Sequence, residues 1–140
     1  TKAIRATGAF TVSIADVEHM DVADFYGIAT GNKMADKFAY SGYHAAKSEH
    51  VNAPVIEEFP VTLECELAGV VDDLVHCVVG TIVNVSADER VVNEKSKIDP
   101  EKVNALVFDQ FQSGYYAIGE RVGGAWREGA QLMKAAKNRG

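Results

Sequence analysis

The chain is short of cysteine, proline, positive charge and long apolar runs, and each shortage removes a class of protein. Its two cysteines, Cys65 and Cys77, form no Cys-x-x-Cys pair, and no Cys/His group has zinc-ligand spacing. A disulfide framework and a metal site are therefore not expected. Both cysteines lie in apolar strand-like runs and read as buried free thiols. No apolar stretch of about 18 residues occurs and no leader-like segment, so the expectation is a cytoplasmic protein that spans no membrane. Asn84-Val85-Ser86 matches a glycosylation sequon, which means little without export. Lys and Arg number 14 against 20 Asp and Glu, a net charge of −6, so the basic footprint of a nucleic-acid binder is missing.

Several nucleotide and catalytic motifs are also missing. Gly27-Ile28-Ala29-Thr30-Gly31-Asn32-Lys33-Met34 is one residue short of a phosphate loop. Met34 stands where a magnesium-binding Ser or Thr is needed, which rules out a nucleotide triphosphatase. Gly123-Gly124 lacks dinucleotide-fingerprint spacing, and there is no Gly-x-Ser-x-Gly elbow. None of the four histidines pairs at helical spacing with a catalytic Glu.

What remains is an ordinary soluble composition: 140 residues, 47% hydrophobic and 24% charged, read as a single domain over 1–140. Ala9–Ile14 alternates as a half-buried strand, with Phe10, Val12 and Ile14 on one side. Asp21–Tyr26 has helical spacing with Asp21 placed to cap, followed by a turn over 27–32. A second short helix is expected from Met34 to Ser41, stopped by Gly42. His44–Pro54 is irregular with room for a short edge strand, and Pro54 and Pro60 bracket a turn or helical piece. Val61–Leu67 alternates cleanly: Val61, Leu63, Cys65 and Leu67 inward, Thr62, Glu64 and Glu66 toward water.

Asp72-Asp73 marks a hairpin turn. Leu74–Val85 is apolar on both faces and predicts a central, doubly covered strand. Gly80 in it predicts a bulge or a close backbone approach. Asp99-Pro100-Glu101 is a helix start. Leu106–Phe108 and Tyr115–Ile118 are short strands, and Trp126–Asn138 reads as an amphipathic helix anchored by Trp126. Strands and helices do not alternate as a parallel sheet requires, so a small antiparallel barrel with peripheral helices fits best.

Three stretches, taken in order, resemble the flavin reductase-like and flavoredoxin family. They are Phe25–Phe38 with its Asp36-Lys37-Phe38, Ala53–Cys65 ending in Leu63-Glu64-Cys65, and Gly114–Glu120 with Tyr115-Tyr116-Ala117-Ile118-Gly119. Thr30-Gly31-Asn32 departs from that family's commoner Ser-Gly-Arg. The resemblance implies a mainly β fold, an antiparallel Greek-key split β-barrel that binds FMN. It also likens Thr1–Arg5 to a segment that follows the family's first strands, so the expectation is an N-terminally incomplete barrel.

The same resemblance implies the cofactor and its contacts. FMN joins a phosphate dianion to a flat apolar ring, so it needs donors or a cation at one end and apolar walls at the other. Lys37 is implied at the phosphate or charged ring edge, His76 as a donor to the ring, and Thr1 at the phosphate. Gly31 and Asn32 are placed to offer backbone N–H groups, and Phe108 to wall the ring. Read by spacing alone, Lys37 is a solvated helix lysine and His76 a core histidine. No residue is expected to be catalytic. The implied activity is hydride transfer from NAD(P)H to the flavin N5 in a homodimer acting on a small-molecule substrate or redox partner protein. An FMN electron carrier and a flavin-free interaction module are the alternatives.

Overall fold

A computed structural model describes residues 1–73 and 76–137. Three small antiparallel sheets carry the fold, with short helices between them. The largest has the order β1-β4-β5, from Ala9–Ile14, Val61–Val71 and Cys77–Ala87. β2 (Ala45–Lys47) pairs with β3 (Pro54–Ile56), and β6 (Leu106–Asp109) with β7 (Gly114–Ala117). The helices are α1 (Lys2–Thr7), α2 (Met20–Ile28), α3 (Lys37–Ser41), α4 (Pro100–Val103) and α5 (Ala130–Lys137). The mainly β, antiparallel class expected from the sequence is what the chain adopts.

Local signals placed several elements correctly. Ala9–Ile14 is β1 over its whole predicted length and pairs from Ala9↔Glu66 to Ile14↔Val61. Asp99 caps α4 by accepting from the Glu101 N–H at 3.0 Å, with Pro100 in the first turn. Gly42 ends α3 at φ 72°, a conformation that costs a glycine little. Val61, Val91 and Val103 form a small core that Ile14, Ala87 and Ala105 pack against, so the β1–β4–β5 sheet, the 89–91 turn and α4 share one apolar centre.

Gly80 makes the close approach its position predicts. A Cβ there would sit 2.5 Å from Phe10 Cζ and 3.0 Å from Cys65 Cβ. The β4–β5 ladder also shifts register between Glu64 and Cys65 and between Leu67 and Gly69, as a strand bending around a packed ring requires.

Other expectations are overturned. Gly27 lies inside α2 rather than in a turn, and Asp21 does not cap: the α2 N-cap is His19, whose N–H donates to Asp16 Oδ1 at 3.0 Å. α3 starts at Lys37, three residues after Met34, and between Pro54 and Pro60 the short strand β3 comes first, with the expected turn following it at residues 57–58. An unforeseen helix, α1, fills residues 2–7. Cys65 is buried but Cys77 is exposed. Trp126 is fully exposed and anchors nothing, and the final helix begins only at Ala130. Leu74, Val75 and the last three residues lie outside the described residues.

Two corrections concern the main sheet. Strand β5 is not central; it is an edge, with Val79, Ile82, Val83 and Val85 exposed. Among the described residues these side chains have no cover. Thr62 and Glu64 do not face water either: they are 2% and 3% exposed. The reason is tertiary, since the loop after β2 folds over that face of β4. The Ser48 hydroxyl donates to Glu64 Oε2, and Asn84 Nδ2 donates to Oε1 at 2.6 Å. Ser48 Oγ in turn accepts the His50 and Val51 N–H groups at 2.9 Å. A buried carboxylate is tolerated where donors replace its water.

The Ser48 hydrogen bond, helped by Asn84 and opposed by burial, holds the Glu64 carboxyl below the usual carboxylate range. A lowered folded-state pKa contributes stability above the ordinary carboxylate pKa and loses it as pH falls through the folded value. Ser48→Ala should therefore destabilise the protein by about 1–3 kcal/mol at neutral pH in urea unfolding, with the gap from wild type shrinking in acid. A gap that stays constant into acid would refute the assignment. Gly80→Val should cost about 1–3 kcal/mol through overpacking, and Phe10→Ala in the same chain should recover part of it. No recovery would mean that Phe10 is not what the new side chain meets.

Candidate functional site

The six residues proposed from the sequence fall into two groups. Gly31, Asn32 and Lys37 belong to one substructure, the C-terminal end of α2 and the loop that leads to α3. The Lys37 ammonium donates to the Ala29 carbonyl at 2.9 Å and to the Tyr26 carbonyl at 3.3 Å, and lies 5.5 Å from the centre of the Tyr26 ring. These are carbonyls that a helix end leaves without partners, and an ammonium there also suits the helix dipole. In the loop, the Thr30 carbonyl accepts the Lys33 and Met34 N–H groups at 3.0 Å, while Asn32 N donates to Thr30 Oγ1 at 3.3 Å. Gly31 N–H has no partner among the described residues, and nothing lies within 4 Å of where a Gly31 Cβ would be.

Phe108 joins this group through α2. Its ring is 5.5 Å from that of Tyr115, the residue opposite it in the β6–β7 ladder. Tyr115 donates from its hydroxyl to Asp24 Oδ1 on α2 at 2.8 Å. That hydrogen bond to a carboxylate, with the desolvation beside it, raises the Tyr115 phenol above its ordinary pKa. The hairpin is further tied to the end of β1, with Leu106 N donating to the Ala15 carbonyl at 2.8 Å.

Thr1 and His76 form the other group. Thr1 starts α1, and its carbonyl accepts from Arg5 N at 3.0 Å. Arg5 pairs with Asp72 at 2.6 Å, and His76 Nδ1 lies 3.6 Å from the other oxygen of the same carboxylate. His76 is 92% exposed, so it is no core histidine. This cluster sits where Val71 pairs with Cys77, at one end of β4. The β6–β7 hairpin and the start of α2 follow the other end, where Ile14 pairs with Val61. Eleven strand residues separate the two ends, roughly 35 Å of sheet. No contact among the described residues joins His76 to Lys37.

A third cluster carries no sequence signature. His19 Nδ1 lies 2.5 Å from Asp16 Oδ1, and its ring meets Tyr43 and Phe59 edge-on at 5.6 and 5.7 Å. The Tyr43 phenol is pushed up by burial and then by Asp21, Glu58 and Asp16. Burial pushes the Glu58 carboxyl up, but the side-chain and backbone donors of His44, with further smaller contributions, together outweigh it and lower the carboxyl. These contacts join the start of α2 to the segments before β2 and β4, a role in architecture. Sequence reading missed the cluster because its members are spread over 43 positions, with no local period to connect them.

The α2–α3 loop has a Gly31 N–H without a partner among the described residues and the Lys37 ammonium over the Tyr26 ring, and Tyr115 ties the Phe108 ring to the same helix at Asp24. Such a donor set suits a ligand with a phosphate and a flat ring. Among the described residues no group of His, Cys, Asp and Glu could hold a metal ion, and no helix is long and apolar enough to cross a membrane.

The arrangement of strands defines an antiparallel, mainly β class, and comparison with known proteins gives the split-barrel fold and the family. Residues 1–118 match the model of the flavin reductase like domain, and the chain belongs to that family. Flavoredoxin of Desulfovibrio vulgaris is 34% identical over 91% of this chain and 68% of its own length, with a TM-score of 0.85. A Shewanella frigidimarina protein with a split barrel domain aligns over 89% of this chain and 64% of its own, at 19% identity and TM-score 0.74. An FMN-binding domain of a flavin reductases-like enzyme from Shewanella baltica covers 88% of this chain and 66% of its own, at 17% identity and TM-score 0.71. No curated protein matches the chain.

The Tyr115–Asp24 hydrogen bond holds the hairpin and its Phe108 ring to α2. Tyr115→Phe should quicken hydrogen exchange at the Val107 and Phe108 amides while leaving the β4 amides unchanged. Unchanged exchange in the hairpin would show that the phenol does not secure it.

Proposed function

We propose that this chain binds FMN and works as an NAD(P)H-dependent flavin reductase in the cytoplasm. The observation that supports the reading is family membership, together with a Lys37 ammonium over the Tyr26 ring at the end of the helix to which Tyr115 ties the Phe108 hairpin. FMN, when bound, supplies a ring that accepts a hydride at N5, so the hard chemistry belongs to the cofactor. The work of the protein is to hold the phosphate at the 29–37 loop, offer Phe108 as a wall, and keep water from the ring. No side chain is assigned as acid or base.

Among the described residues no hydrogen bond or ion pair joins Thr1 or His76 to that loop, which supports a homodimer. With both groups turned to one ligand across a two-fold axis, the loop of one copy and the His76 end of its partner complete a single site. The uncharged, exposed edge of β5 supports a second element of this reading: further strands pair along it to close the barrel. The likeness to flavoredoxin favours a second function, an FMN electron carrier that a partner protein reduces.

Anaerobic rapid mixing separates the two. The FMN-loaded protein should lose its yellow absorbance within seconds of mixing with NADH or NADPH, and one of the two should act faster. A band that neither nicotinamide bleaches leaves the carrier standing and ends the reductase reading. Protein that retains no FMN ends both.

A further inference from the structure

We infer that the segment after Arg121 is a docking arm, and that it docks on a second copy of this chain, at the acidic start of α2. The inference is independent of the flavin reading. It begins with a division of charge. Residues 121–140 hold five Lys or Arg and one Glu, a net charge of +4, while residues 1–120 hold nine Lys or Arg and nineteen Asp or Glu, a net charge of −10. The family match ends at residue 118, and the basic arm lies beyond it.

The arm is tethered at its root and then leaves the body. Arg121 N donates to Glu101 Oε1 on α4 at 3.2 Å, and after it the hydrogen bonds among the described residues stay within the arm. Trp126 is fully exposed, and Leu132 and Met133 of α5 are 77% and 66% exposed. Lys134 and Lys137 flank that apolar pair on the same helix and enter none of the ion pairs among the described residues. An amphipathic helix with its large side chains in water lacks the surface it was patterned for.

Charge decides which surface fits. A body of net charge −10 attracts an arm of +4 and repels an anionic membrane, so the cover is protein of this kind rather than lipid. This copy does not receive its own arm, which leaves another copy. The receiving place needs the mirror of the arm: exposed apolar side chains with unpaired carboxylates between them. The entry to α2 has both. Val17 and Met20 are exposed, and each is followed by an exposed carboxylate, Glu18 and Asp21, that enters no ion pair among the described residues. No Lys or Arg occurs in residues 6–32. With two copies related by a two-fold axis, each arm reaches the other's α2 and the same contact forms twice.

Trp126 reports on docking because it is the chain's single tryptophan and sits on the arm. Its emission from the full chain is read across a dilution series, with mass followed by light scattering. The maximum should lie at the long-wavelength, water-exposed end in dilute protein and move to shorter wavelength as concentration and mass rise. Lys134→Glu with Lys137→Glu should abolish the movement, and so should Glu18→Lys with Asp21→Lys. Each reversed chain repels its own kind, but a mixture puts an acidic arm on a basic patch and a basic arm on an acidic one, so mixing the two should restore it. A maximum that never moves overturns the inference, as does one already shifted at every dilution because the arm folds on its own copy. A movement that requires anionic vesicles, or a mixture that restores nothing, overturns it equally. A dimer in which Trp126 stays in water sinks the arm and leaves the flavin-site dimer proposed above standing. Should the α2 variant fail to fold, the dilution series and the arm variant still decide.

Discussion

Strand β4 is the constraint on which the other elements depend. It pairs with β1 along one edge and β5 along the other, and residues near its start are buried on both faces. One face meets the valine core under α4, and the other is closed by the 48–53 loop, anchored through Ser48 to Glu64. A strand held on four sides cannot slip in register, because a one-residue shift would turn the Glu64 carboxylate into the valine core. The register in turn fixes which elements meet at each end. At the Val61 end are β1's exit, α2 and the β6–β7 hairpin; at the Val71 end are α1 and His76.

How much of this was legible in the sequence follows from which interactions are local. β1, the α4 cap and the Gly42 stop were read correctly because alternation, capping and left-handed turns are decided within a few residues. Gly80 was read correctly because a glycine within a strand has few other reasons to be there. The failures were decided at long range. Glu64 alternates with apolar neighbours and so reads as solvent-facing, yet a serine 16 positions away buries it. The β5 strand reads as central because its residues are apolar on both faces, and composition cannot say whether a cover is present. Trp126 reads as an anchor by residue type, while its backbone turns left-handed at φ 62° and presents the ring to solvent.

The site shows the same division. Motif order led to the family and to the loop around Lys37, and the family match confirms the first of these. What no motif conveys is the direction of a donor. Lys37 lies four residues after Lys33, and only the carbonyls at 2.9 and 3.3 Å show which of the two ammonium groups is engaged by the fold. The Tyr115 hydroxyl likewise links positions 91 residues apart, which makes the hairpin a neighbour of α2 although the sequence keeps them far apart. The flavin site proposed here needs few specialised residues: a helix end, a turn closed on Thr30 and a hairpin carrying aromatic rings.

The central claim is that a phosphorylated flavin seats at the end of α2 with its ring toward the β6–β7 hairpin. Amide shifts of nitrogen-labelled protein, recorded as FMN is added, test it residue by residue. The account predicts the largest movements at Gly31, Asn32 and Lys33, with smaller ones at Phe108 and Tyr115. Movements confined to the 47–53 loop, or to the 118–123 segment beside α4, would contradict it.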